Sequence, residues 1–243
     1  SSNTSLLALN CKENNITSLN LSSNSLLYWL RCGDNPLSGL DVSANTALQI
    51  FYCENNGLTA LDVSSNPNLT YLACYGNSLS VLDLSSNTIL ETLNCNNNQL
   101  TSLDVSACVD MVDLYCSSNQ LSNLDVSANP DLTIIVCQEN QLLALDLSAC
   151  TSLSLLSCFT NELSSLDLTA CTGLINLSCY ENLLTSIDVS TCADLGEILC
   201  GDNLLTSLDL SNNTAFISLG CWNNQLTNLD MRNGNNANVT DFY

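Results

Sequence analysis

Two residue types recur in this chain at a spacing that could carry chemistry. Cys11 returns as Cys32, Cys53, Cys74, Cys95, Cys116, Cys137, Cys158, Cys179, Cys200 and Cys221, always 21 residues apart. Asp41, Asp62, Asp83, Asp104, Asp125, Asp146, Asp167, Asp188, Asp209 and Asp230 keep the same step, with Asn20 in the first copy. Ordered thiolates are ligands for soft metals or nucleophiles, and ordered carboxylates hold calcium or move protons. Neither chemistry fits the surrounding residues. The chain has no histidine, so it has no Ser-His-Asp or Cys-His pair, and it contains no CxxC spacing for zinc. The glycine- and aspartate-dense spacing of calcium-binding β-rolls is missing as well. A Ser or Thr follows each Asp from Asp41 to Asp209 by two residues, from Ser43 to Ser211 with Thr169. A bond from that hydroxyl or its backbone N–H is the expected partner of the carboxylate. No metal and no cofactor is expected, and no enzyme.

The elements that must position these residues follow from the same period. Each copy reads LxxLxCxxNxLxxLDVSxN, with positions numbered here by the residues of the first copy. Twenty-one residues cannot close an apolar core alone, but stacked copies bury one between them. The alternation around each cysteine predicts a short strand with positions 9 and 11 inward and positions 8, 10 and 12 outward. The thiols then fill core space as small hydrophobes, unbridged because stacked Cβ vectors run parallel. Cys108, Cys150, Cys171 and Cys192 fall on a second lattice otherwise occupied by Asn3, Asn24, Asn45, Asn66, Asn87, Asn129 and Asn213, which predicts a turn ladder in which Cys replaces Asn. A further asparagine ladder begins at Asn14 and Asn35. Both are expected to satisfy turn backbone, with stacked amides bonding to one another. The fold class expected is a solenoid of eleven repeats with one parallel sheet of short strands. Its convex side would be extended segments and turns with little or no helix. Residues 1–243 would form a single array, repeats running over about 6–231 and residues 232–243 forming a tail or the start of a cap.

Charge bounds the partners. Three cations, Lys12, Arg31 and Arg232, face 24 acids for a net charge of −21, which argues against nucleic acid and anionic membranes. No stretch has the length of a membrane-spanning helix, so no direct membrane insertion is expected. The sequence begins at Ser1 without a methionine or signal segment, as a processed or truncated product would.

The aromatics mark the candidate site. Trp29 and Tyr71 fall at position 8, Tyr52 and Tyr115 at position 10, and Tyr75, Phe159, Tyr180 and Trp222 at position 12. All eight are outward positions. Ile50, Ile134, Val136, Leu155 and Leu199 join them, among acids such as Glu54, Asp113 and Glu197. Strands favour such residues for pairing alone, but a contiguous outward apolar face reads as an interaction site. A protein partner with basic groups is the leading expectation. A glycan stacked on Trp29, Tyr52, Tyr71 and Tyr75 is one alternative, and a structural spacer within a larger surface assembly is another.

The repeat as it stands in LNCNNNQLTSLDVSAC resembles the bacterial cysteine-ladder leucine-rich repeat proteins. These comprise the internalin J-like proteins of Listeria and the secreted or surface leucine-rich repeat proteins of Bacteroidetes. The resemblance covers essentially the whole chain. It implies a leucine-rich repeat solenoid and a binding or adhesion role, extracellular or at the bacterial cell surface.

Overall fold

The computed structural model describes residues 3–234 and 240–242 of the chain. Contacts divide it into two compact units, Ser1–Leu121 and Ser122–Tyr243. In the first, β1 (Ala8–Asn10), β2 (Trp29–Arg31), β3 (Ile50–Tyr52), β4 (Tyr71–Ala73), β5 (Thr92–Asn94) and β6 (Asp113–Tyr115) recur every 21 residues. Each pairs with its predecessor in parallel and in register, Leu9 against Leu30, Leu30 against Phe51 and Leu93 against Leu114. In the second unit the same sheet pattern is built by β7 (Ile134–Val136), β8 (Leu155–Ser157), β9 (Asn176–Ser178), β10 (Glu197–Leu199), β12 (Ser218–Gly220) and β14 (Asp241–Phe242). β14 sets Asp241 beside Ser218 and Phe242 beside Leu219. β11 (Ser207–Asp209) and β13 (Asn228–Asp230) make a separate parallel pair. Residues 235–239 of the expected tail lie outside the described residues. Among the described residues there is no helix, and hence none able to cross a membrane.

The inner repeats bury the same positions, most of which are only half-buried in the first copy. Leu48, Phe51, Cys53, Leu58 and Val63 show no exposed surface in the third copy, nor do Leu174, Leu177, Cys179 and Leu184 in the ninth. Each such leucine contributes about 1.5–3 kcal/mol by leaving water. The thiols behave as packing groups. Thirteen are buried, and only Cys11 and Cys221 are half-exposed. Burial pushes the Cys74 and Cys137 thiols up to about 12, far from the reactive thiolate range. The backbone of the cysteine extends the ladder past the strand, since Cys53 N–H donates to Ala73 C=O at 2.8 Å.

Strands stop after three residues because position 13 turns the chain left-handed. Glu13, Asp34, Asn55, Asn97, Ser118, Glu139, Thr160, Glu181, Asp202 and Asn223 all have φ between 49° and 56°, and Gly76 has φ 66°. For a side chain with a Cβ this conformation costs on the order of 1 kcal/mol or more, and Thr160 is β-branched as well. The asparagine at position 14 holds the turn. Asn182 Nδ2 lies 3.1 Å from Cys179 O, 3.3 Å from Tyr180 O and 3.0 Å from Cys158 O of the preceding repeat, while its Oδ1 accepts from Leu163 N–H at 3.0 Å. Asn35, Asn98 and Asn203 make the same set.

The other asparagine ladder works differently. Asn87 Nδ2 donates to Val63 O at 3.2 Å and Asn66 O at 2.9 Å, but Oδ1 of Asn45, Asn66, Asn87 and Asn213 has no hydrogen-bond partner. In both ladders the bonds run from amide to backbone, not from amide to amide as expected. The carbonyls of the turn lie within reach of Nδ2 and take its donors in place of the neighbouring amide oxygen. With no acceptor role to fill, cysteine can stand in, and Cys192 Sγ approaches Cys171 O at 3.4 Å. On the side opposite the sheet, Asp41 Oδ1 accepts from Ser43 N–H at 2.9 Å and from its hydroxyl at 2.6 Å. Asp62, Asp104 and Asp167 repeat the arrangement. These bonds hold the carboxyls below their usual range, and repulsion from the neighbouring Asp is a lesser influence.

Four outcomes are expected. Replacing Asn182 by Ala should cost about 2 kcal/mol or more in urea unfolding, since it strands the Leu163 N–H and several carbonyls. Asn87→Cys should cost about 1 kcal/mol or less, and equal losses would show the two ladders to be equivalent. Native thiol labelling should reach at most Cys11 and Cys221, with the other 13 cysteines titrating only after denaturation. Stability should also fall at both ends of the pH range. The lowered Asp values contribute stability above about 3.8 that is lost as pH falls through the folded values. The raised thiol values leave stability intact below about 9.0 and erode it as pH rises from there toward 12. Unfolding curves at acid, neutral and alkaline pH check both limbs.

Candidate functional site

The register sets the outward residues into three rows, one each for positions 8, 10 and 12. In the first unit Trp29, Ile50 and Tyr71 are consecutive in one row, each half-buried. Tyr52 lies in the next row, and its ring meets that of Tyr71 diagonally at 4.8 Å with planes 36° apart. Burial, then the Tyr52 neighbour and hydroxyl bond, push the Tyr71 phenol up to about 12. The Arg31 guanidinium carbon sits 5.4 Å over the Tyr52 ring centroid. Tyr115 shares the row of Tyr52 but is separated from it by Ala73 and Asn94, with Asp113 two residues before it. Tyr28, beside the strand, is 42% exposed.

Glu54 is not presented to solvent. It is 1% exposed, and Lys12 Nζ lies 3.2 Å from its Oε1 and 2.9 Å from Asp34 Oδ2. That ion pair spans two repeats, which is possible only because the residue between them in the row is Gly33. A Cβ at Gly33 would stand 2.3 Å from Glu54 Cδ. Lys12 holds the Asp34 carboxyl below its ordinary value. Tyr75 follows Glu54 in the row, its phenol raised by burial and then by the Glu54 charge.

The second unit carries another cluster. Phe159 and Tyr180 stack at 4.3 Å with planes 10° apart, and Trp222 meets Tyr180 at 5.7 Å and 45°. Trp222 reaches across Gly201, where a Cβ would fall 2.2 Å from the indole carbons. Its Nε1–H donates to Asp202 Oδ2. Glu181 Oε2 accepts from the Thr160 hydroxyl at 2.8 Å, and Glu197 Oε2 from Asn176 Nδ2 at 3.1 Å. Ile134, Val136, Leu155 and Leu199 are half-buried on the same face.

The structure thus groups Tyr52, Tyr71 and Tyr75 near Glu54, and Phe159, Tyr180 and Trp222 near Asp202. Trp29 and Tyr115 stand apart from the ring contacts of either group. The role of Gly33 and Gly201 and the left-handed turn at position 13 were not anticipated. The glycines could have been found by reading position 12 as a row, since Lys12-Gly33-Glu54 and Tyr180-Gly201-Trp222 both show a gap between large groups. Open grooves lie along the Asp row instead, one of about 420 Å³ lined by Thr59, Leu61, Asp62, Ser64, Ser80, Val81 and Asp83. Among the described residues no three His, Cys, Asp or Glu side chains come together as a metal-ligand set.

No protein-family model matches the chain, and no curated protein matches it. Solved structures do. The functional domain of InlJ from Listeria monocytogenes, described as including a cysteine ladder, is 40% identical over 93% of this chain, with a TM-score of 0.90. The chain spans 51% of that structure's length. YopM from Yersinia pestis, described as a leucine-rich effector protein, is 25% identical over 93% of this chain and 63% of its own, with a TM-score of 0.78. The internalin InlF of Listeria monocytogenes shares the fold at 18% identity over 98% of this chain and 87% of its own, with a TM-score of 0.71. A thiol at the same position of every repeat, buried in all but the first and last, one short parallel strand per 21 residues and an InlJ-like coil together give this chain the leucine-rich repeat fold of the cysteine-ladder type.

Proposed function

We propose that the chain is a non-enzymatic protein-binding module, secreted or displayed at a bacterial cell surface, that docks a protein on its strand face. The observation that carries this reading is the half-exposed aromatic surface on outward strand positions in both units, Tyr52 with Tyr71 and Phe159 with Tyr180 and Trp222. Buried aromatic anchors within a polar rim dominate protein interfaces. The InlJ-like and YopM-like folds support an interaction role, and adhesion and surface location rest on the likeness to InlJ. Glycan stacking is the weaker reading, because Arg31 lies over Tyr52 and Tyr71 tilts against it, so the ring faces that a sugar would cover are engaged.

A photo-crosslinking residue placed at Tyr115, Tyr71 or Phe159 should give protein adducts from a bacterial or host surface extract, whereas one at Ser106 or Ser148 should not. Adducts from the Asp row alone would move the site to the opposite side. For a partner so captured, Ala at Tyr71 or Trp222 should weaken binding about thirtyfold, the equivalent of a 2 kcal/mol anchor. Melting should shift little.

A further inference from the structure

The two units solve the same geometric problem with different charges. In each, a glycine at position 12 lets its neighbours in the row meet across a repeat, Lys12 with Glu54 over Gly33 and Tyr180 with Trp222 over Gly201. In the first unit the acids and rings receive cations from the chain itself. Lys12 pairs with Asp34 and Glu54, and Arg31 covers Tyr52. In the second unit the rings Phe159, Tyr180 and Trp222 are flanked by Glu139, Glu181 and Asp202 at position 13. Asp202 and Glu181 take hydrogen bonds from the neutral donors Trp222, Asn223 and Thr160. The sequence has no Lys or Arg between residues 32 and 231, and Arg232 is paired with Asp230. Stacked rings with a half-exposed indole, ringed by carboxylates, attract a guanidinium or ammonium through the ring quadrupole and the surrounding charge.

We infer that Phe159, Tyr180 and Trp222, with Glu181 and Asp202, form a binding site for an arginine or lysine side chain of a basic protein segment. This rests on the reading of the strand face as a protein-binding surface and assigns the chemistry of its aromatic cluster in the second unit. The cation that the first unit supplies to its own rings is, in the second, supplied by the partner. Simple ring packing would explain the Phe159–Tyr180 stack, but not a row of acids beside it in a unit without a free cation.

The test uses the full chain with Trp29→Phe, so that fluorescence reports Trp222 alone. Titration with an arginine-glycine repeat peptide should quench Trp222, whereas the same peptide with citrulline in place of arginine should bind at least tenfold more weakly. Tyr180→Ala and Gly201→Ala, which leave the net charge at −21, should each weaken arginine-peptide binding at least tenfold by anisotropy. Gly201→Ala acts by pushing the indole off Tyr180 without removing a side chain, and melting curves confirm that each variant is folded. Trp222→Phe should bind within a few-fold, and Ser106→Ala, on the side opposite the strand face, should bind as the parent. Equal binding by all variants would reduce the effect to diffuse attraction by an acidic surface and overturn the site. Equal binding of the citrulline peptide would overturn the cation while leaving a protein-docking face intact. Loss of strand-face crosslinks, by contrast, would remove the docking face itself.

Discussion

One amide per repeat makes the coil possible. At position 14 an asparagine side chain closes a left-handed turn that the preceding residue would not adopt unaided, binding carbonyls of its own repeat and of the one before it. Its oxygen also accepts the backbone N–H that begins the apolar segment of the preceding repeat. No other side chain offers two donors and an acceptor in so short a reach. Because two of those bonds cross to the preceding repeat, the amide stitches the stack as well as bending it. The strained residues Glu181 and Thr160 are tolerated because the turn is over-determined around them.

The inner ladders follow from that turn. A chain bent so sharply leaves little depth behind position 11, and a thiol fits where a leucine would force the strand outward. The same narrowness explains the second lattice, where Asn and Cys alternate: only the Nδ2 side of that amide is used, and packing volume counts as much as polarity. On the opposite side, each Asp from Asp41 to Asp209 is held by the Ser or Thr two residues later, so a row of like charges is sustained by local bonds that outweigh mutual repulsion.

On the outer face of the sheet the coil imposes no residue type, and neighbouring side chains decide one another's packing. A fixed step of 21 residues puts equivalent positions one strand apart, so long side chains either stack on the next repeat or, where glycine intervenes, on the one after. Gly33 and Gly201 turn that second option into an ion pair in one unit and a ring contact in the other.

Much of this was legible in the sequence. A strict period with inward leucines and cysteines specifies the repeat, its strand positions and the partners of Asp41 to Asp209, because each depends on contacts within a few residues or on identical neighbours. The outward placement of Trp29, Tyr52, Tyr71 and Trp222 follows from the alternation of the strand. Tertiary structure alone decided what those side chains touch. Glu54 reads as an outward acid but is buried, since Lys12 and the space over Gly33 draw it back onto the sheet. Tyr115 reads as the equal of Tyr52, yet Ala73 and Asn94 leave it without a neighbouring ring in its row. Period tells which row a residue joins, whereas the length and charge of side chains one and two repeats away determine whether it is offered to a partner or satisfied at home.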